Sequence, residues 1–152
     1  VEEAVERVRA AREGGDRSGQ PFTLTARAEC FLVGHPDPLR ESIRRLQRYR
    51  EAGADCLYAP GISNPEDLTA LVKEVGGPIN VLIGGSGPLG AMTVDQLGEL
   101  GVRRISVGAA LARTALGAFL EAAKQIAEEG RFTRMASGVP FATLNDAFRD
   151  PA

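Results

Sequence analysis

The apolar positions of this chain follow two spacings, one typical of helices and one typical of strands. Near the N-terminus, apolar residues recur every three or four positions from Val1 to Ala11, and this pattern stops at Gly14 and Gly15. The run from Phe22 to Ala26 then alternates and is rich in residues that favour strands. The chain is therefore predicted to begin with a helix that leads into a strand.

The same order of helix and strand recurs along the chain. Three glycines stand 24 residues apart, at Gly53, Gly77 and Gly101, and each follows a helical pattern and precedes a strand. Asn64 is predicted to cap one of these helices, with Pro65 in its first position, and Thr93 is predicted to start another, shorter helix. The strands predicted after the glycines cover residues 56–59, 79–83 and 104–107.

Alternating helices and strands predict parallel strands joined by crossover helices. Two more helices are predicted after the last strand, over residues 110–129 and 140–148. A closed (β/α)₈ barrel needs eight strands and about 250 residues, whereas this chain has four predicted strands in 152 residues. We therefore predict an α/β fold of the (β/α)₈ TIM-barrel type. Residues 1–130 would form its second half, and residues 131–152 a C-terminal extension whose short helix packs on another subunit.

The first half of such a barrel would be either absent from this sequence or supplied by another chain. An open sheet of four strands leaves two unpaired edges and apolar strand faces without cover, which is costly for a stable monomer. If these residues form half a barrel, we therefore expect further strands, from the same protein or from another chain, to cover the exposed strand edges and faces.

The composition argues against several classes of function. With 43% hydrophobic residues and 18 basic against 20 acidic residues, the chain can bury a core and has no charge excess suited to nucleic acid or an anionic membrane. No apolar run approaches the roughly 20 residues needed to cross a bilayer. Acidic residues near the N-terminus argue against a signal peptide. Cys30 and Cys56 form no CxxC pair, which favours free thiols. We expect a cytoplasmic protein that binds neither nucleic acid nor membrane.

Arg27 is the first candidate site residue because it follows the first predicted strand directly. In folds built from strand and helix units, ligands bind beyond the carboxyl ends of the strands. A cationic side chain in that place is expected to bind an anion. Glu29 lies two positions later and leaves an alternative open, in which Arg27 and Glu29 form a solvated ion pair at the edge of the strand.

A glycine-rich segment follows the third predicted strand. Gly84, Gly85 and Ser86 are candidates for substrate binding, because glycines let backbone N–H groups approach an anion closely and barrels often hold phosphate at their last loops. A turn without a ligand explains the segment equally well. The run matches neither the dinucleotide-binding glycine pattern nor the lysine-containing P-loop.

Four strings of the sequence, taken together, resemble the isocitrate lyase and phosphoenolpyruvate mutase family. They are Thr25–Glu29, the segment from Glu51 to Gly61, the segment from Glu99 to Gly108, and Pro140–Asn145. The resemblance covers nearly the whole chain. It implies a Mg²⁺-dependent enzyme on a (β/α)₈ barrel, usually a homotetramer whose last helix swaps between subunits. Reactions in the family break or move a C–C or P–C bond of a small 2-oxo or hydroxy acid through an enolate-like intermediate.

The resemblance also implies roles for particular residues. Arg27 matches the family's substrate-binding arginine, and we assign it a catalytic role in stabilising negative charge on oxygen. Glu29 stands where the family usually has Asp and is expected to hold Arg27 or a polar part of the ligand. Lyases acting on isocitrate or methylisocitrate carry a glutamate in place of Pro60, which argues against a true isocitrate lyase. The family's Mg²⁺-binding carboxylates would precede Val1, so no metal ligand is expected here.

We therefore predict the C-terminal half of a Mg²⁺-dependent C–C bond lyase or P–C mutase that acts on a small carboxylate. The alternative is a catalytically incomplete barrel fragment that serves as an oligomeric assembly or binding module. Retention of Arg27 and of the glycine-rich segments favours the enzyme. The substrate stays open, since 2-methylisocitrate, a phosphonopyruvate, oxaloacetate and other small dicarboxylates all fit these residues.

Overall fold

The structure of the protein, a computed structural model, describes residues 1–149. The chain divides into two compact units, Val1–Ala110 and Leu111–Ala152. The elements of the first unit are α1 (Glu2–Arg17), β1 (Thr25–Arg27), α2 (Pro38–Glu51), β2 (Cys56–Tyr58), α3 (Pro65–Val75), β3 (Ile79–Leu82), α4 (Gly87–Gly90), α5 (Val94–Glu99) and β4 (Val102–Ser106). Helix α6 (Ala110–Glu129) begins at the boundary, and the second unit continues with a 3₁₀ helix (Thr133–Ser137) and α7 (Phe141–Arg149). None of the described helices is long and apolar enough to cross a membrane.

The four strands form one parallel sheet in the order β1-β2-β3-β4. Each strand is connected to the next by at least one helix, as parallel pairing requires. Three in-register pairs run across the sheet, namely Arg27 with Tyr58, Tyr58 with Asn80, and Asn80 with Arg104. The predicted α/β arrangement of parallel strands and crossover helices is therefore confirmed.

One face of the sheet packs against helices and forms the core. Leu57 is 0% exposed in β2, and Ile79 and Val81 are fully buried in β3. These side chains belong to one apolar cluster with Leu46 of α2 and the α3 residues Leu68 and Leu71. Because side chains alternate along a strand, the residues between these buried positions emerge on the opposite face of the sheet.

The opposite face carries mostly polar side chains, although Cys56 and Leu82 also lie on it. The polar face, as we call it, carries Thr25, Arg27, Tyr58, Asn80, Arg104 and Ser106, which register and alternation place on one side of the sheet. Arg104 Nη1 donates a hydrogen bond to Thr25 Oγ1 at 3.0 Å. Strands β1 and β4 are three strand spacings apart, about 14 Å in a flat sheet. The bond between their side chains therefore indicates that the sheet curls like the wall of a barrel.

Helix starts predicted from capping residues agree with the structure. The side-chain oxygen of Asn64 accepts a hydrogen bond from the Asp67 backbone N–H at 2.7 Å, and Pro65 occupies the first turn of α3. Thr93 and Gln96 form a reciprocal capping box at the start of α5. Local side-chain chemistry decides these boundaries, so the sequence alone is enough to locate them.

Two local features differ from the predictions. Strand β1 begins at Thr25 instead of Phe22. Just before it, the Leu24 backbone N–H donates to the Asp55 carboxylate at 2.7 Å, and the Leu24 carbonyl oxygen accepts from the Cys56 backbone N–H at 3.1 Å. The glycine-rich segment after β3 also contains the single helical turn α4, although the sequence pattern predicts no helix there. A turn of four residues is too short to show the periodic apolar pattern that signals a helix.

In the second unit, the structure confirms the predicted span of α6 and places α7 within one residue of the predicted short helix. Large apolar side chains on these two helices are exposed, including Leu111, Leu116, Phe119, Phe141 and Phe148. Packing of the C-terminal helix on another subunit stays a prediction. The division of the chain at residue 130 into a barrel half and an extension likewise stays a prediction.

Candidate active site

Arg27 ends strand β1 and lies beside Glu29. Its Nη2 atom is 2.8 Å from Glu29 Oε1, and 53% and 45% of the two side-chain surfaces are exposed. The ion pair between Arg27 and Glu29, which the sequence analysis gave as an alternative, is therefore present. It does not exclude anion binding, because a guanidinium carries five N–H donors and a half-exposed pair contributes little stability by itself. Arg27 can contact Glu29 and a ligand at the same time.

Tyr58 forms the second contact of Arg27. The Arg27 Cζ atom lies 5.2 Å from the centroid of the Tyr58 ring, within the range of a cation–π interaction. Tyr58 is 9% exposed. Its burial raises the pKa of the phenol, an effect that the charge of Arg27 opposes and that of Glu29 reinforces. The phenol is therefore neutral at physiological pH.

Asn80 and Ser106 continue the polar face beyond Tyr58. Asn80 is 3% exposed, and its Nδ2 donates to Ser106 Oγ at 3.1 Å. The Ser106 hydroxyl in turn donates to the Val81 carbonyl oxygen at 3.3 Å. Within residues 1–149, Asn80 Oδ1 is buried without a hydrogen-bond partner. An unpaired buried acceptor costs free energy, so one more donor at this atom would stabilise the site.

Arg104 adds a second cation to the polar face. Its described polar contact is the bond to Thr25 Oγ1, and no carboxylate within residues 1–149 lies at ion-pair distance from it. Strand register places Arg104 in the same row across the sheet as Arg27, through Asn80 and Tyr58. The polar face therefore presents two guanidinium groups.

The glycine-rich segment follows β3, so it lies at the same edge of the parallel sheet as Arg27. Gly85 has a left-handed backbone with φ of +83°, and a Cβ on Gly84 or Gly85 would meet open space. A Cβ on Gly90 would lie 2.9 Å from the Gly85 backbone carbon, so the tight return of the chain requires glycine there. Turn geometry thus accounts for part of the glycine content. Substrate binding by Gly84, Gly85 and Ser86 stays a prediction.

The described residues do not fit a Mg²⁺ site. Mg²⁺ prefers carboxylate and water oxygens in octahedral geometry. In the part of the chain that the structure describes, no group of three or more His, Cys, Asp or Glu side chains is placed to hold a metal ion. The expected dependence on Mg²⁺ stays a prediction based on the family resemblance.

Apart from Arg27, the residues of the polar face were not singled out from the sequence as site residues. Tyr58 looked like part of a short apolar strand, and Asn80 was placed within a strand without a role. For Asn80 the detectable signal was a polar residue between the apolar residues Ile79 and Val81, whereas no alternation marked Tyr58, whose strand is apolar throughout. For Arg104, the signal was a charge in the middle of a strand.

Comparison with known proteins identifies the family. The family model described as phosphoenolpyruvate phosphomutase matches residues 1–127. The chain belongs to this family. An uncharacterized protein of Mycobacterium tuberculosis is 31% identical over 80% of this chain and 44% of its own length. Oxaloacetate decarboxylase 2 of Pseudomonas fluorescens is 29% identical over 98% of this chain and 49% of its own length. This member of the phosphoenolpyruvate phosphomutase family thus spans about half the length of the curated relatives it matches.

Solved structures agree with this family and with the predicted fold. A Burkholderia cenocepacia protein provisionally named a lyase or mutase is 47% identical, with a TM-score of 0.88 over 97% of this chain and 52% of that chain. A 2,3-dimethylmalate lyase of the PEP mutase/isocitrate lyase superfamily aligns with a TM-score of 0.77 at 24% identity, over 96% of this chain and 52% of that chain. The latter likeness concerns the fold alone. The predicted half of a (β/α)₈ barrel is confirmed.

Proposed function

We propose that this chain is the C-terminal half of an enzyme that acts on a small 2-oxo or hydroxy carboxylate. The observation that carries the proposal is Arg27, a half-exposed guanidinium at the carboxyl end of a parallel strand. Enzymes with (β/α)₈ barrels bind their substrates at that end. The names of the family and of one relative support this class of substrate, since phosphoenolpyruvate and oxaloacetate are both small carboxylates.

Arg27 suits the charge that such a reaction develops. Breaking a C–C or P–C bond next to a carbonyl group leaves negative charge on oxygen, and a fixed guanidinium stabilises that charge as it forms. Glu29 contacts one guanidinium nitrogen and leaves other N–H donors for the ligand. The role proposed for Glu29 is to orient Arg27. Mg²⁺ remains part of the proposal through the family resemblance, with ligands from outside residues 1–149.

The described residues fit a lyase and a mutase equally well. A 2-oxo carboxylate would present the same acid group to Arg27 whether a C–C or a P–C bond breaks at its other end. The polar face adds Arg104, which suits a substrate with more than one negative charge. We therefore propose a substrate class, a small dicarboxylate or phosphonocarboxylate, and leave the bond that breaks to experiment.

We also propose that the complete protein is a homo-oligomer. The exposed apolar side chains of α6 and α7, among them Leu116, Phe119 and Phe148, support this proposal because exposed apolar surface commonly marks a protein interface. The same observation is the one that favours the second candidate function, an assembly module without catalysis. Catalytic turnover distinguishes the two candidates.

The test is an assay on the complete native protein that contains these residues, with its length confirmed by intact mass. Consumption of the substrate and formation of products are measured by ¹H and ³¹P NMR for a panel containing oxaloacetate, phosphonopyruvate and 2-methylisocitrate, because a mutase would release no 2-oxo acid. We expect turnover of at least one compound, loss of turnover in EDTA and recovery with Mg²⁺. Light scattering on the same preparation is expected to give a multiple of the monomer mass. An oligomer that turns over none of these compounds with Mg²⁺ present would favour the assembly module instead.

A further inference from the structure

We propose that Tyr58 is a positioning residue for Arg27, and that the face of its ring holds the guanidinium in the orientation that binds the substrate's acid group. This inference rests on the proposed function, because it gives Tyr58 a role through Arg27. Tyr58 was not among the residues predicted from the sequence to belong to the site. Its assignment comes from three observations on the polar face.

The first observation is the pairing of the two strands. Arg27 and Tyr58 are partners in the register of β1 and β2, so their side chains leave the sheet side by side on the same face. The strands are hydrogen bonded at this point, since the Ala28 backbone N–H donates to the Tyr58 carbonyl oxygen at 2.9 Å. The backbone beneath the two side chains is therefore fixed.

The second observation is that Arg27 is restrained by two different groups. Glu29 lies 2.8 Å from one guanidinium nitrogen, and the Tyr58 ring centroid lies 5.2 Å from the guanidinium carbon. A free arginine side chain loses conformational entropy when it binds a ligand, which weakens binding. Two restraints that are present before the ligand arrives reduce that loss. Of the two, the ring is the more buried, because Tyr58 is 9% exposed and about half of the Glu29 side chain is exposed.

The third observation separates the ring from the hydroxyl group. Within residues 1–149, the phenol oxygen of Tyr58 makes no hydrogen bond, and the contact of this side chain with Arg27 runs through the ring. Burial raises the pKa of the phenol, so its ionisation does not contribute near neutral pH. The structure therefore assigns the effect to the aromatic face, which phenylalanine retains and leucine lacks.

The experiment measures oxalate binding to the complete native protein by calorimetry in the presence of Mg²⁺. The variants are Tyr58→Phe, Tyr58→Leu, Arg27→Met and the double variant Tyr58→Leu/Arg27→Met. Tyr58→Phe is expected to stay within about twofold of the wild-type affinity, and Tyr58→Leu to bind oxalate about 5- to 20-fold more weakly. In the Arg27→Met background, the leucine substitution is expected to change affinity less than about twofold, because the cation that the ring holds is gone.

The other tyrosine of the chain provides a matched control. Tyr49 is buried on α2, so Tyr49→Leu makes the same chemical change in a residue without the ring contact to Arg27. This control is expected to lower the urea midpoint but to leave oxalate affinity within about twofold of wild type. If Tyr58→Leu does not fold, Tyr58→Met replaces it, because methionine is also apolar and lacks an aromatic face.

The results test the role of the Tyr58 ring and the proposed function of Arg27 separately. Wild-type affinity in Tyr58→Leu, or an equal loss in Tyr58→Phe and Tyr58→Leu, would overturn the role of the ring. Persistence of the full leucine effect in the Arg27→Met background would overturn it as well. Wild-type affinity in Arg27→Met would instead contradict the proposed function of Arg27, whatever the Tyr58 variants do.

Discussion

Replacement of Arg27 by alanine in the complete protein is expected to lower kcat/KM by about 100-fold or more, because removal of one group that stabilises a developing oxyanion typically costs about that factor. The side chain is half exposed, so the protein is expected to fold normally. Steady-state kinetics on the best substrate of the panel measure the effect, and circular dichroism verifies the fold. The loss should fall mainly on kcat if Arg27 binds the transition state better than the substrate.

Two further variants serve as comparisons for Arg27→Ala. Arg27→Lys keeps the positive charge but loses the planar fork of donors, and it is expected to recover part of the activity. Arg9→Ala removes an arginine from an exposed helix position, where its partner is Glu6, and it is expected to leave kcat/KM within about twofold of wild type. Similar losses in Arg9→Ala and Arg27→Ala would mean that Arg27 acts only through overall charge.

Replacement of Leu57 by alanine is expected to lower the free energy of unfolding by about 3 kcal/mol. Leu57 is 0% exposed and lies in β2, between the sheet and the helices that cover it. Loss of its side chain removes buried apolar surface and leaves a cavity beneath the strand that carries Tyr58. Urea denaturation of the complete protein, followed by circular dichroism, measures the change.

Val94 provides the surface control for this substitution. Val94 is 71% exposed at the start of α5, and Val94→Ala is expected to change the free energy of unfolding by less than about 0.5 kcal/mol. If Leu57→Ala and Val94→Ala changed stability equally, the cluster between the sheet and the helices would not be the core of the first unit.

The order of helices and strands could be predicted because its determinants are local. Asn64 and Thr93 are recognisable as capping residues within three or four positions of sequence, and both cap helices in the structure. Curvature of the sheet was harder to predict, because it depends on contacts such as the bond from Arg104 to Thr25, which joins residues 79 positions apart. The count of strands predicted half a barrel, but the curl itself is visible only in the structure.

Some residues of the candidate site could likewise be predicted from the sequence, and others could not. Arg27 and Glu29 are two positions apart, and their proximity could be predicted from the sequence. Tyr58 and Arg104 reach the same face through the register of different strands, which a single sequence does not determine before the strands are paired. The short strand around Tyr58 is also apolar throughout, so its polar-face residue resembled a core residue.

The glycine-rich segment shows a limit of motif reasoning. A glycine can be required for ligand binding or only for backbone conformation, and the sequence alone does not distinguish these two roles. The close approach of Gly90 to the Gly85 backbone accounts for one glycine without any ligand. Arg27 thus remains the stronger basis for the proposed function, because its charge at the end of a strand has a specific chemical use.

The most direct test of the proposed function is a crystal structure of the complete protein with bound oxalate. The proposal predicts an oxalate carboxylate oxygen about 3 Å from the Arg27 guanidinium, at the carboxyl edge of the sheet, with Glu29 still in contact with Arg27. Oxalate bound elsewhere, with the Arg27 guanidinium in contact with Glu29 and Tyr58 alone, would contradict the role of Arg27 in substrate binding.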